Sequence, residues 1–335
     1  MPDHKHPEDA VELFLSDREP EVAKQTQYNQ QGHLKRFTTF CEDEGIDHIS
    51  DVDGFTLNLF KSWLRKERGI SEVTMANYVG TTRAFIKWCS KVELVDDKLF
   101  EKMDYPHVSH EEESRDASID PERVEQILTY LNKYEYGTLR HALFQLIWHT
   151  TFRIGTIRAL DLDDWKPKAS YLSINHRPET GTPLKNKLAG ERQVNVNREV
   201  ANVIKDYVNV YRHDLVDEHG RKPLFTSPSG RAYDSLIRKH INCVTRPCHY
   251  TNKCPHDRVI EDCEGNTFDG SSKCPSSISP HPLRRSAITY HLNHDWPQEK
   301  LSERASVSVD VLERHYDVRS ESEKRQGRED YLDNL

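Results

Sequence analysis

Four short stretches of this 335-residue sequence carry side chains suited to handling a phosphate. Arg153 lies in Thr150-Thr-Phe-Arg-Ile-Gly-Thr-Ile-Arg-Ala-Leu160, directly after an apolar run. Lys187 opens Lys187-Leu-Ala-Gly-Glu-Arg-Gln-Val194. His281-Pro-Leu-Arg284 begins a segment of helical periodicity, which sets its two polar side chains one turn apart. Leu312-Glu-Arg-His-Tyr316 follows near the end. Two guanidiniums can clamp phosphate oxygens in bidentate fashion, and that stabilisation counts most where negative charge develops in a transition state. A phenol, with a reference pKa of about 10, is a weak nucleophile at neutral pH and needs a proton acceptor or a strongly cationic pocket. Taken singly, each stretch has an ordinary explanation: an arginine after a helix is usually a surface ion-pair former, and a late tyrosine is usually a core-edge residue.

The cysteines are a second, independent pattern. Five of the seven fall between Cys243 and Cys274, with Cys248, Cys254, Cys263 and Cys274 separated by five, eight and ten residues. In a reducing compartment such a cluster more often binds metal than forms disulfides, and four thiolates would make a closed tetrahedral structural zinc site. His249 and His256 are alternative ligands. The intervals lack Cys-x-x-Cys pairs, so reduced, unliganded thiols are the competing expectation. Cys41 and Cys89 lie on apolar helical faces and read as core residues.

Apolar residues recur at helical spacing in four runs between about Asp9 and Leu99, predicting an N-terminal helical bundle. Gly45 and Gly69 follow helical runs and suit C-terminal caps. Pro106–Ser118 has no periodicity and reads as an exposed acidic linker. Asp120-Pro121 then marks a helix start, and Leu143–Trp148 a buried helix. Tyr171-Leu-Ser-Ile and Arg192-Gln-Val-Asn-Val alternate with period two, predicting a small antiparallel sheet with Lys187 in the turn between its strands. Lys185 competes with Lys187 because sequence does not set hairpin register. The expected fold class is mainly α with a small antiparallel sheet. Its parts are a helical domain over 8–103, a linker over 104–118, an α+β catalytic domain over 119–325 with a Cys-rich insert at 243–279, and a tail over 326–335.

Composition sets limits on function. Lys+Arg is 47 against Asp+Glu 55, a net charge of −8. Residues 1–118 hold 15 basic and 24 acidic side chains, leaving 32 and 31 for the remainder. An acidic chain lacks the global basic footprint of most nucleic-acid binders, so any such contact must be local. No apolar run approaches membrane-spanning length, and Met1–His6 has no apolar leader core, so the expectation is a cytoplasmic protein with no membrane partner.

The four phosphate-suited stretches, in their order and spacing, resemble the catalytic set of the tyrosine recombinase (phage integrase) family, over roughly residues 10–325. Arg153 and Leu160 fit its arginine motif, with Asp164 four residues on; Lys187 stands seven residues before Val194; His281 and Arg284 fit His-x-x-Arg; Tyr316 follows Arg284 by 32 residues. The resemblance implies a site-specific DNA recombinase in which Tyr316 attacks to form a 3′-phosphotyrosine. Arg153 and Arg284 would hold the phosphate, Lys187 would act as general acid, and His281 would assist proton transfer at the tyrosine. It implies no cofactor or metal for catalysis, a duplex DNA partner clamped by both domains, and a homotetramer on DNA. Lys24, with Gln25 and Thr26, and the helix Ser71–Lys91, with Thr74, Asn77, Arg83 and Lys87, are the expected N-terminal DNA contacts. The Cys-rich insert is similar to that of archaeal-type integrases, including those of halophiles. Ser320–Leu335 would be either a segment exchanged between protomers or a plain tail.

The sequence departs from the family pattern in four places, one of them Arg285, which replaces a frequent histidine and adds a cation near the site. Thr151 replaces a glycine, Thr156 replaces an acidic residue, and Val307 stands where a histidine or tryptophan is common, leaving Ser306, Ser308 or His315 to supply the missing hydrogen bond. These departures keep two other readings open: a catalytically impaired DNA-binding accessory factor, and a type IB topoisomerase-like nicking-closing enzyme.

Overall fold

The computed structural model of the chain describes residues 5–66, 69–106, 118–294, 296–316 and 325. The chain divides into two compact units, Met1–Arg115 and Asp116–Leu335. The boundary falls in the expected linker, most of which, with the expected tail, lies outside the described residues.

The first unit is built on four helices: α1 Pro7–Arg18, α2 Lys24–Asp43, α3 Gly54–Lys66 and α4 Glu72–Lys91. Their ends follow from local chemistry. Pro7 occupies the first turn of α1 and the His6 ring accepts from the Glu8 N–H; the Ser71 hydroxyl accepts from the Thr74 N–H at the start of α4. After α2 the chain reverses at Gly45, φ +68°, while Ile46 N–H donates to Cys41 O and Gly45 N–H to Glu42 O, so both orphan carbonyls are satisfied. Phe14, Phe37, Phe40, Phe60 and Phe85 meet at the centre, mostly edge to face, and Cys41 and Cys89 are buried among them.

The second unit places α5 Pro121–Tyr134, α6 Leu139–Thr150 and α7 Ile154–Ala159 ahead of a three-stranded antiparallel sheet of β1 Trp165–Lys166, β2 Tyr171–Ile174 and β3 Arg192–Asn195. Leu172 pairs with Val194, which directs the apolar side chains of both strands into the core. Asp120 precedes α5 as expected, but its side chain makes no capping bond; Pro121 alone shapes that start. Then come α8 Arg198–Asp206, the two-residue strands β4 Thr226–Ser227 and β5 Gly230–Arg231, α9 Asp234–Val244, α10 Pro247–Thr251, α11 Pro280–Asn293, α12 Gln298–Ala305 and α13 Val309–His315. The core centres on α6, almost wholly buried. A smaller apolar cluster joins Ile288 and Leu292 of α11 to Leu301, Ala305, Val307, Leu312 and Tyr316. No described helix is long and apolar enough to cross a membrane.

A charge network braces the long β2–β3 connection. Arg177 donates to both oxygens of buried Asp164, at 2.9 and 2.7 Å. Arg221 donates to Asp161 at 2.8 Å and to the Thr180 and Thr182 hydroxyls at 2.5 and 2.8 Å. Arg231 bridges Asp161 and Asp217 at 2.7 and 2.6 Å. Each buried carboxylate is thus paired, as low dielectric requires.

Two predictions follow from this packing. Burial holds His141, His149 and His240 down at about 4, each well below an ordinary histidine. The folded state resists protonating them while the unfolded chain does not, so their stabilisation is present above pH 6.5 and drains as pH falls from about 6.5 toward about 4, at roughly 1.4 kcal/mol per unit and per group. Calorimetry should show Tm falling steadily from pH 7 to pH 5. The second concerns Thr151, which ends α6 at φ +56°, a left-handed conformation that suits glycine and strains a β-branched residue. Thr151→Gly should raise stability by roughly 1 kcal/mol in denaturant melts; a net loss would show that the Thr151 hydroxyl bond to Thr150 O at 2.6 Å outweighs the strain.

Candidate active site

Arg153 is the N-cap residue of α7, immediately after the left-handed turn at Thr151, with extended backbone at φ −70° and ψ 151°. Its Nη1 donates to Ser306 O at 2.9 Å. Arg284 sits in the first turns of α11, which opens at Pro280 as the His281-Pro-Leu-Arg284 spacing predicts. Arg284 is 1% exposed. It donates to Thr151 O and, at 3.0 Å, to Ala305 O. The phenol of Tyr316, which stands at the end of α13, interacts electrostatically with the Arg284 and Arg153 guanidiniums.

Two arginines that sequence reasoning missed belong to the same pocket. Arg192 on β3 donates to Arg304 O at 2.9 Å and to Gly190 O at 2.7 Å. Arg304 of α12 donates to His149 O and Asn195 O, each at 2.9 Å. Among the described residues, all hydrogen bonds of Arg153 and Arg192 go to backbone carbonyls, and none of Arg153, Arg192, Arg284 and Arg304 pairs with a carboxylate. Burial first, then the nearby positive charges of Arg153 and Arg304, push Arg192 down to about 10. Burial alone does the same to Arg304, and burial with the Arg153 charge lowers Arg284. Desolvated cations without counter-charge are costly, and an incoming anion relieves that cost. The only local hint in the sequence was Arg192, two residues before Val194.

His281 lies one turn before Arg284, exposed at its outer edge. Loss of surrounding water, then the charges of Arg284, Arg153 and Arg285, lower its pKa and favour the neutral ring. Lys187 and Lys185 are both exposed on the β2–β3 connection, which is a long loop and not a tight hairpin turn. Lys187 begins a one-turn 3-10 helix, Lys187–Gly190, with φ +50°. The neighbouring Asn186 donates to both Ser306 O and Ser306 Oγ at 2.9 Å, which brings this turn to the pocket.

Val307 is buried in the apolar cluster beside Tyr316 and offers no hydrogen bond from its side chain. Of its expected substitutes, Ser306 has a carbonyl taken by Arg153 and Asn186, and Ser308 caps α13 by accepting from Val311 N–H. The His315 side chain lies outside the described residues. Thr156 is buried and, among the described residues, its hydroxyl makes no bond to the Arg153 guanidinium; only its backbone N–H reaches Arg153, at the carbonyl, 2.9 Å away.

The cysteine insert differs from its expected form. Among the described residues, no three His, Cys, Asp or Glu side chains are grouped so as to hold a metal ion, so Cys248, Cys254, Cys263 and Cys274 as they stand do not fit a zinc site. Cys263 is engaged locally: the nearby Gly265 N–H and Arg258 guanidinium favour its thiolate and lower its pKa. Burial raises Cys248, and the neighbouring Cys274 and Cys254 add to that shift. Arginines pin the insert instead. Buried Arg246 donates to Gly265 O and Asn266 Oδ1, and Arg123 donates to Thr245 O, Ser276 O and Tyr250 Oη.

The expected DNA contacts of the first unit divide between two surfaces. Arg83 donates to Phe100 O at 3.0 Å, and both Arg83 and Lys87 lie over the Phe100 ring. At about 100° per residue around α4, Thr74 stands roughly 140–180° from Arg83 and Lys87, and Asn77 roughly 80–120°. Lys24 is exposed at the start of α2. A groove of about 550 Å³ runs along the same helix, lined by Tyr28, Asn29, Gly32, His33, Arg36 and, from α4, Tyr78.

The family model for the phage integrase family matches residues 117–306, more than half of the chain. That for the phage integrase SAM-like domain matches residues 9–105. No curated protein matches the chain. Among solved structures, the Tn1549 transposon integrase in complex with a circular intermediate DNA has a TM-score of 0.70 at 13% identity, covering 97% of this chain and 99% of that one. The same integrase in complex with transposon right end DNA gives 0.67 at 12%, covering 98% and 100%. A lambda integrase dimer bound to a COC′ core site gives 0.63 at 9%, covering 94% and 96%. At such identities the likeness is one of fold. With Arg153, Lys187, His281 and Arg284 inside the matched segment and Tyr316 ten residues beyond it, the chain belongs to the phage integrase family.

Proposed function

We propose that this protein is a site-specific DNA recombinase that cleaves and rejoins duplex DNA through a covalent link to Tyr316. One observation carries the reading: the Tyr316 phenol meets buried Arg284 and half-buried Arg153, which among the described residues pair with no carboxylate. A phosphodiester supplies the missing negative charge, and its nonbridging oxygens gain charge as phosphorus becomes five-coordinate, so cations already in place lower the barrier. Arg153 and Arg284 are the clamp. Tyr316 Oη forms the bond to phosphorus as the bond to the 5′-oxygen breaks. Neutral His281 accepts the phenolic proton, in keeping with its lowered pKa. Lys187, or Lys185 in its place, donates a proton to the leaving 5′-oxygen. The phosphotyrosine keeps the bond energy of the diester, so rejoining to another strand reverses the same steps.

The same reading takes the protein to act as a homotetramer on DNA, with the α2 groove beside Tyr28 and Arg36 on the duplex. The relatives solved on DNA support a DNA partner. The archaeal-type likeness rests on the Cys-rich insert alone. A structural zinc there would need Cys248, Cys254, Cys263 and Cys274 to converge; about one zinc per chain by elemental analysis, with unfolding by a chelator, would establish that they do.

Covalent trapping tests the central step. Wild type and Tyr316→Phe are mixed with DNA of the source replicon, quenched with detergent, and the protein-bound fragments sequenced. Discrete adducts from wild type alone are expected, with Arg153→Ala and Arg284→Ala each slower by about 10²–10³. Specific binding without an adduct from wild type would instead favour the DNA-binding accessory factor, and Val307 would be the first suspect. Relaxation of supercoils without exchange between sites would favour the topoisomerase-like reading.

A further inference from the structure

The turn that carries Lys187 is held at both ends, and by the same three-residue segment that holds the phosphate clamp. At its start, Asn186 Nδ2 donates to Ser306 O and Oγ at 2.9 Å. At its end, Gly190 O accepts from Arg192 Nη1 at 2.7 Å, while Arg192 Nε donates to Arg304 O at 2.9 Å. The neighbouring carbonyls of that segment, Ala305 O and Ser306 O, accept from Arg284 and Arg153. Between its two anchors, Lys187 itself adopts φ +50°. A non-glycine residue persists in that left-handed region only where its surroundings over-determine it. The Arg192 guanidinium packs 5.3 Å from the centre of the Phe152 ring, next to Arg153, and so cannot swing freely.

We propose that Arg192, with Asn186, is a positioning residue for the general acid: it fixes the Lys187 turn at a set distance from the Arg153–Arg284 clamp by binding both to the Arg304–Ser306 carbonyls. The inference rests on Lys187 being the acid in the reaction above. In the cleavage step the bond from Tyr316 Oη to phosphorus forms, the bond from phosphorus to the 5′-oxygen breaks, the Lys187 ammonium gives that oxygen a proton, and the phenolic proton passes to His281. Arg192 touches none of the reacting atoms. Its loss therefore slows proton delivery first; the positive charge removed from the pocket weakens phosphate binding equally for any leaving group.

A leaving-group substitution separates this role from a general loss of structure. On a duplex of the cleavage site mapped by trapping, sulfur replaces the bridging 5′-oxygen. A thiolate departs without needing a proton, so a defect confined to the general acid disappears on that substrate. Single-turnover cleavage of the oxygen-bridged duplex should fall by about 10²-fold in Arg192→Gln and Lys187→Ala. On the sulfur-bridged duplex Lys187→Ala should return to nearly the wild-type rate, and Arg192→Gln should recover most of its loss. Asn186→Ala changes an exposed side chain and should show the same pattern in milder form, which keeps the test valid if Arg192→Gln folds poorly. An equal deficit of Arg192→Gln and Asn186→Ala on both substrates overturns the proposal. Should Lys187→Ala fail to be rescued while Lys185→Ala is, the acid is misassigned, and rescue of Arg192→Gln still decides the positioning role. Should wild type form no adduct at all, the reaction itself is misread; hydrogen exchange on the protein alone then decides the clamp. The amides of Lys187–Gly190 should exchange faster in Arg192→Gln than in wild type, and unchanged exchange there would overturn it.

Discussion

Three successive carbonyls, those of Arg304, Ala305 and Ser306, each accept a hydrogen bond from a different arginine: Arg192, Arg284 and Arg153. They lie at the C-terminal end of α12, where helix carbonyls lack intrahelical partners and the helix dipole is negative. Cations brought there from β3, α11 and the α6–α7 turn satisfy those carbonyls and, among the described residues, are in turn held without a carboxylate. A carboxylate in their place would neutralise the pocket and compete with phosphate. Carbonyl dipoles orient the guanidiniums and leave their net charge uncompensated, which is the condition an anion-binding centre requires.

Much of the second unit serves that arrangement. The left-handed turn at Thr151 aims its carbonyl at Arg284 and releases the chain into α7 with Arg153 as its N-cap. Buried α6 supplies a rigid base for that turn. The acidic network of Asp161, Asp164 and Asp217 with Arg177, Arg221 and Arg231 is kept apart, bracing the far part of the β2–β3 connection. In that network the arginines pair with carboxylates; in the pocket, among the described residues, they do not. The cluster of Ile288, Leu292, Leu301, Val307 and Leu312 presses Tyr316 against the pocket, and Val307 adds packing there instead of a polar contact.

The insert between α9 and α11 meets the problem of a loop-rich segment in another way. Its backbone carbonyls are gathered by Arg246 and Arg123, two side chains that reach several carbonyls at once, and the insert leads directly into Pro280 and the α11 start.

The fold was largely legible in the sequence, because it rests on short-range periodicity and punctuation. The four-helix N-terminal unit, the strands at Tyr171–Ile174 and Arg192–Asn195, and the helix opening at Pro280 follow from apolar spacing, proline and glycine. The grouping of the candidate site residues was legible as well, through residue type and order: Arg153, His281, Arg284 and Tyr316 lie near one another. What only tertiary structure decided are relations between distant segments. Arg192 and Arg304 look like ordinary surface arginines until folding buries them beside Arg153. Arg83 and Lys87 look like free cations until Phe100 is laid across them. Four cysteines look like a ligand set, yet among the described residues no three metal-ligating side chains are grouped. A periodic pattern reports which face of a segment is buried; it carries no information about which other segment covers that face, and the chemistry of this site arises where those segments meet.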